Sequence, residues 1–474
     1  MPAVELDHSF AAHARAIGPY DGRYHDIGEV FSPWFSEFGL QHARLTVEIK
    51  YLQALSEGGI TRPITDAEKN QLASLSAGFN LEGFARVKAI EAVTRHDVVA
   101  VVDYLQEKLQ ETTLADVSPF VHWCLTSEDV TNNAYRIGLK EAKEQVIVPA
   151  ADSLIAAIAD MAEKYKAQPM LSLTHGQPAV ATTFGKEMIN FALRLHEESK
   201  RLEAHQFKGK MTGAVGNLNA HQAARPDINW LAFSEKFIKN LGLEPISHTT
   251  QVNPNDDIVH YLQSLQAFNG IVHGLDVDLW LYISRGILHQ QKGGVGSSTM
   301  PQKINPIDFE HSEGTLEIAN ALAGVLVSRL PESRMQRDLS DTPLFRQLGP
   351  IHAQVLDAWR RTAKGLGKVS PNAEKMREEL RENWAILSEP LQLILRQAGI
   401  GDAYEVIRQK VQGGRFTEYE WAELIDRIIF DCKITDSEVQ SKLRDLTPDS
   451  YTGDAEELVE KGLPILQNKN GTTV

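Results

Sequence analysis

Residues 296–310 read GSSTMPQKINPIDFE and hold the chain's densest set of groups able to handle an anion and a proton together. Gly293 and Gly294 come just before them. Asn305 is the expected N-cap of a following helix, with Pro306 at its first position and Asp308 near its positive end. Lys303 beside such a helix terminus can hold a carboxylate whose charge grows during a reaction, while a loop serine removes a proton. The same spacing also fits a plain Gly/Ser/Pro surface loop before a capped helix, and spacing alone does not separate the two.

Other segments carry similar double readings. His175, in Thr174-His175-Gly176-Gln177-Pro178, titrates near neutral pH and can protonate a leaving group, and the flanking Gly and Pro predict a sharp break between helices. The alternative is a structural histidine, one among 16. Thr126-Ser127-Glu128-Asp129 has the form of a capping box, with Thr126 as N-cap and Asp129 three residues later; the exposed amides of such a helix start also suit a carboxylate. Arg95-His96-Asp97 reads locally as a capped helix start with a surface arginine, in which Asp97 can orient the His96 imidazole. Arg23-Tyr24 follows a turn, Gln251 reads as polar surface, and Arg337 and Arg346 read as solvated charges.

In combination these segments resemble one family. Residues 296–305 are similar to the GSSxMPxKxN loop of the fumarase/aspartase superfamily of lyases, and the continuation Asn305-Pro306-Ile307-Asp308-Phe309-Glu310 resembles its adenylosuccinate lyase branch. Thr174–Pro178 resembles the family's THGQP motif, followed by the agreeing Phe184-Gly185-Lys186-Glu187; residues 126–133 resemble its TSEDxxNN segment; residues 333–341 follow its SRxQRDLxD pattern; residues 213–217 match its GAVGN turn. The similarity runs from about Gly18 past Arg346 and more thinly through Asn383-Trp384.

The resemblance implies a β-elimination that breaks a carbon–nitrogen bond and releases fumarate from adenylosuccinate, and from the succinyl-carboxamide ribonucleotide of purine biosynthesis. In that reading Ser297 is the base, His175 the acid, and Lys303 and Asn305 stabilise the carbanion. Arg23, Tyr24, Arg95, His96, Asp97, Thr126, Ser127, Gln251, His311, Arg337, Thr342 and Arg346 bind the substrate. Gln302, Leu173 and His311 depart from the family pattern, and Gln302 is shared with argininosuccinate lyases. That activity and a non-catalytic structural relative are the alternatives. Thr174–Pro178 and Ile307–Glu310 stand against the first, and the joint presence of Ser297, Lys303, Asn305 and His175 against the second.

These residues need a frame, and the periodicity supplies long amphipathic helices. Leu154, Ile158, Met161 and Tyr165 form one stripe; Ile258, Leu262, Leu265, Val272, Leu275 and Leu279 a second; Leu316, Ala319, Ala323, Leu326 and Leu330 a third. No run alternates with period two for long enough to build a sheet. Breaks at Gln168-Pro169, Gly213 to Asn219, Asn253-Pro254 and Gly293 to Pro301 suggest a bundle of rods. The expected fold is all-α and fumarase/aspartase-like, with an N-terminal helical domain (1–115), a central long-helix bundle (116–368) and a C-terminal helical domain (369–474). Stripes on more than one helix face predict a homo-oligomer, and the resemblance makes it a homotetramer whose sites are shared between subunits.

Composition narrows the partners. With 48 basic and 63 acidic residues the net charge is −15, which argues against nucleic acid and anionic membranes and leaves a small-molecule nucleotide held by a local basic pocket. Cys124 and Cys432 are expected to be buried apolar residues in a reducing compartment, supplying no disulfide and no metal cluster. No cofactor or metal is implied. The N-terminus lacks the form of a secretory signal, so a soluble cytoplasmic protein is expected.

Overall fold

Ile258, Leu262, Leu265, Val272, Leu275 and Leu279 are all buried along one helix of 29 residues, as their spacing predicts. A computed structural model describes residues 8–291, 300 and 302–467. In chain order the elements that bear on function are helices α1 (Glu37–Glu57), α2 (Asp97–Gln110) and α3 (Ser127–Ala142), a π-helical turn at Lys143–Ile147, and α4 (Val148–Lys164). Strands β1 (Pro169–Thr174) and β2 (Gln177–Thr183) lead into α5 (Phe184–Ala204), and β3 (Lys208–Gly209) and β4 (Glu244–Pro245) precede α6 (Asp256–Ser284). After β5 (Leu288–Gln290) come α7 (Ile307–Arg329), α8 (Leu348–Leu366) and β6 (Val369–Pro371).

The chain divides into two compact units. The first gathers residues Met1–Ala150, Glu198–Gly270 and Gly314–Ala358; the second gathers Ala151–Glu197, Ile271–Glu313 and Trp359–Val474. Within the first, Leu52, Leu72, Val87, Val101, Leu105 and Leu109 belong to a core formed by the early helices. Within the second, Leu380, Trp384, Leu387, Leu391, Ile407, Trp421, Ile425 and Leu443 form a core that also takes in Leu171 of β1 and Ala181 of β2.

Helices dominate, but the described residues also hold three two-stranded sheets that the periodicity does not predict. β1 and β2 pair antiparallel, β3 and β4 parallel, and β5 and β6 antiparallel. These strands are two to seven residues long, too short for a period-two signal to stand out. Cys124 and Cys432 are only partly buried, against expectation: Cys124 lies in a turn with φ +61°, and Cys432 caps the end of the helix Glu418–Asp431 against the second unit's core.

The run Ser127–Lys164 meets the length and composition of a membrane-crossing helix. Its buried polar side chains are bonded inside the protein, as in a core helix: Asn132, Asn133 and Arg136 find partners there, and Lys143 Nζ donates to the carbonyls of Glu203 (3.0 Å) and His205 (2.7 Å). Lys143 thereby closes the carbonyl end of α5.

A buried carboxyl in the second unit gives the fold a pH signature. Asp276 on α6 is fully buried and accepts from Thr362 on α8 (2.8 and 3.1 Å), whose hydroxyl also meets Ser312 of α7 (2.9 Å). Burial pushes its pKa up to about 8, against the opposing hydrogen bonds from Ser312 and Thr362. The folded chain thus keeps a proton that the unfolded chain has released, and stability is lost as pH rises from the ordinary carboxyl range through about 8. Asp276→Asn, which retains an acceptor for Thr362, is expected to flatten that slope and to match or exceed the parent above pH 8. Melting temperatures across pH 5–9 check this; an unaltered slope would remove Asp276 as its source.

Candidate active site

In the first unit the site grows from the start of α3. Asp129, fully buried one turn into the helix, accepts from the Thr126 N–H (3.0 Å), which is the reciprocal half of a capping box. Its other oxygen accepts from Lys210 Nζ (2.9 Å), the Thr212 N–H (2.9 Å) and the Gly213 N–H (3.2 Å). One carboxylate therefore ties the Thr126-Ser127 helix start to the loop Gly213–Asn217. Gly216 in that loop has φ +89°, and a Cβ there would meet the Thr249 carbonyl at 2.0 Å, so only glycine fits.

The loop reaches the next motif through Gln251. Its Nε2 donates to the Ala214 carbonyl (2.8 Å), and its backbone N–H donates to the Gln336 carbonyl (3.2 Å). Gln336 follows Met335, whose φ of +53° is strained for a long side chain. Arg337 then lies 3.0 Å from the Glu128 carboxylate and 3.6 Å from Asp341, within ion-pair range of Glu128 but without an aligned hydrogen bond. Burial lifts the Glu128 pKa above the ordinary carboxylate value, with Arg337 and Lys210 partly countering. Thr126, Ser127, Gln251 and Arg337, distant in sequence, are thus brought together.

Asp97 joins them by a route the sequence did not indicate. Its principal partner is Arg44 on α1 (2.7 Å), not His96, whose Nδ1 stands 3.7 Å away and accepts from the Val99 N–H (3.4 Å) as N-cap of α2. Arg44 also donates to Thr131 on α3 (3.2 Å). The guanidinium outcompetes the imidazole because it is permanently charged and buried against the carboxylate. Burial pushes the Asp97 pKa up, but Arg44's charge and hydrogen bond more than offset it and leave it lowered. Arg346 follows Phe345, which stacks on Tyr135 of α3 (4.7 Å), and Thr342 is exposed at the start of the short helix Thr342–Phe345. Arg23 and Arg95 are exposed; Arg23 lies 5.8 Å above the Tyr24 ring, and Arg95, with φ +57°, ends the helix Leu81–Thr94. Thr342 donates to Asp341 (3.5 Å), which faces Arg337, whereas among the described residues no side-chain hydrogen bond or ion pair links Arg23 or Arg95 to the network.

His122 escaped the sequence reading. Its Nδ1 donates to Glu48 (2.6 Å), a fully buried carboxylate on α1 that also accepts the His122 N–H (3.1 Å). Burial pulls the imidazole's pKa down, but the Glu48 hydrogen bond and charge, with help from Asp129, hold it above the ordinary value. This dyad sits four residues before Thr126. The only sequence signal was the histidine's nearness to that segment, since its partner lies 74 residues away.

In the second unit His175 occupies the tip of the β1–β2 hairpin, not a break between helices. Thr174 pairs with Gln177 across a two-residue turn in which His175 and Gly176 have φ of +53° and +72°, the signs a type I′ turn requires. The rear of the hairpin is anchored where Leu171 and Ala181 enter the C-terminal core, and the tip, with Leu173, is exposed. Asn305 is not the N-cap of α7. The Pro306 carbonyl takes the first intrahelical bonds, from Phe309 (3.1 Å) and Glu310 (3.3 Å), so the cap falls one residue later. Asp308 lies near the positive end, as expected, ringed by Lys368, Arg361 (3.6 Å) and Lys364 (3.9 Å). Lys303 is exposed, His311 half-buried, and Gln290 ties β5 to the Ile304 carbonyl (3.3 Å). Ser297 lies outside the described residues.

Residues 22–319 match the family model described as lyase, and residues 333–452 match the adenylosuccinate lyase C-terminal model. The chain is 43% identical over 452 residues to adenylosuccinate lyase of Haemophilus influenzae and 39% identical over 452 residues to that of Escherichia coli K12, in each case spanning 94% of this chain and 98% of the relative. Among solved structures, a fumarate lyase from Mesorhizobium sp. BNC1 aligns with TM-score 0.74 at 18% identity, over 93% of this chain and 97% of that one. The 3-carboxy-cis,cis-muconate lactonizing enzyme of Pseudomonas putida aligns at 0.74 and 20% identity, over 98% and 99%. At such identities these structures speak for the fold.

Two substitutions test the network. Asp129→Ala leaves Lys210 buried without a counter-charge and is expected to cost about 3–5 kcal/mol in chemical denaturation; a loss under about 1 kcal/mol contradicts the hub. Glu48→Gln removes the support for the His122 charge, leaving burial in control, so the His122 titration followed by NMR should move to lower pH. An unmoved midpoint excludes the dyad.

Proposed function

Because the chain belongs to the adenylosuccinate lyase family, we propose that it eliminates fumarate from adenylosuccinate, releasing AMP, and from the succinylaminoimidazole carboxamide ribonucleotide, releasing AICAR, in purine biosynthesis. It is a carbon–nitrogen lyase. The observation that carries the reading is the convergence of Thr126, Ser127, Gln251 and Arg337 on one buried network around Asp129 and Glu128, since these are the residues the family resemblance assigns to the substrate.

In the proposed mechanism Ser297 takes the proton from the carbon beside the β-carboxylate. The electron pair passes into an aci-carboxylate held by Lys303, Asn305 and loop amides. Collapse of that intermediate expels the nucleotide nitrogen, which His175 protonates as fumarate forms. A serine hydroxyl is a weak base in water, so its activation depends on cationic surroundings that exclude solvent. Arg23, Tyr24, Arg95, His96, His311, Thr342 and Arg346 complete substrate binding, and His122 joins them through its dyad.

The enzyme is further proposed to work as a cytoplasmic homotetramer whose sites draw on three subunits. Apolar residues left exposed on the long helices, Ile318 and Val325 of α7 and Trp280 and Leu281 of α6, support an oligomer.

Ser297→Ala and His175→Ala should each lower turnover by orders of magnitude while the protein stays folded; near-parental turnover in either would end its assigned role. Mixed oligomers of the two variants are expected to regain part of the activity, and verified hybrids without any would count against shared sites. Ultraviolet-monitored turnover should appear with adenylosuccinate and not with argininosuccinate; the opposite pattern reverses the substrate assignment.

A further inference from the structure

We propose that Tyr135 is an additional substrate-binding residue whose hydroxyl donates a hydrogen bond to the same anionic group that Arg346 receives. This rests on the reading of Arg346 as an anion-binding residue of the lyase site.

Glu128, Thr131 and Tyr135 follow one another at three- and four-residue steps along one face of α3. Each meets a different part of the site: Glu128 pairs with Arg337, Thr131 accepts from Arg44, and Tyr135 stacks on Phe345 with ring centroids 4.7 Å apart and planes at 25°. The stack fixes the phenol ring and, through the peptide bond, the residue that bears the Arg346 guanidinium. Arg44, Arg346, Asp97 and Glu128 all act electrostatically on the phenol.

What separates Tyr135 and Arg346 from their neighbours is that they are uncommitted. Arg44 is bonded to Asp97, Thr131 and Gln41, and Arg337 is paired with Glu128 and Asp341. Among the described residues the Tyr135 hydroxyl has no hydrogen-bond partner, and the Arg346 side chain has neither an ion pair nor a hydrogen bond, its backbone N–H alone donating to the Leu344 carbonyl. Arg346 is exposed and Tyr135 half-buried. Guanidinium offers only donors. The phenol stays protonated, because burial raises its pKa and Asp97 and Glu128 add to that, against Arg44 and Arg346. Two neighbouring donors, one permanently charged and the other neutral, suit a phosphoryl or carboxylate oxygen.

Tyr135→Phe keeps the stack and removes only the donor. With adenylosuccinate it is expected to raise KM about 10-fold or more, the loss expected for a hydrogen bond to a charged group. Competitive inhibition by inorganic phosphate and by fumarate separates the two sources of the anion: weaker inhibition by the first assigns the phosphoryl group, by the second a carboxylate, and either supports the proposal. Arg346→Ala runs beside it. A raised KM in Arg346→Ala with parental KM and inhibition in Tyr135→Phe would overturn the role of Tyr135 alone. Parental values in both would instead remove Arg346 from anion binding, and the reading beneath the proposal with it. A Tyr135→Phe defect confined to kcat would also overturn it, since a binding donor acts on KM.

Discussion

A buried carboxylate with no water to solvate it must find its donors in the protein, and Asp129 finds four. They come from the start of α3, from Lys210 beside β3, and from the entry to the Gly213–Asn217 loop. Each is a backbone amide or a buried cation, so none can turn away without stranding a polar group in the interior. The helix start, the loop and, through Gln251, the Arg337 segment are thereby held in one arrangement. A second buried pair, Arg136 with Asp257 (2.8 and 2.9 Å), fixes the start of α6 against α3 in the same manner.

Such pairing explains how an acidic chain binds an anionic substrate. A net charge of −15 would repel a nucleotide if it were spread evenly. Here the acids nearest the site are spent on arginines: Asp97 on Arg44, and Glu128 and Asp341 on Arg337. The cations are held in place by the acids, and the donors left over point to an anion. Burial of Glu128 and Asp341 raises both pKa values, with the Arg337 charge countering at each.

The second unit solves a different problem, the presentation of a small polar tip from an apolar base. Leu171 and Ala181 are gripped by the core of the C-terminal helices, including Trp384 in the thinly matching Asn383-Trp384 region. His175 is carried outward on a turn whose positive φ values glycine tolerates freely and histidine better than most residues. The resemblance assigns this histidine a proton-donating role, and a rigid hairpin is a suitable mount for it.

Much of this was legible in the residues themselves. The apolar stripes of α6 and α7 specify helices because burial requires one face to recur every 3.6 residues, and the Thr126–Asp129 spacing specifies a helix start because a capping box spans three residues. Local rules do not reach the rest. They place the α7 cap at Asn305 when the Pro306 carbonyl takes the first bonds, and they miss a hairpin whose strands are too short to show a period. They cannot see that Asp129 meets Lys210, Asp97 meets Arg44, or Glu48 meets His122, because a charge does not select its partner by distance along the chain. The sequence alone determined which elements form and which residue types are available for chemistry. Only the tertiary structure decided which charges neutralise one another and which remain for a ligand, since that depends on shared burial in three dimensions.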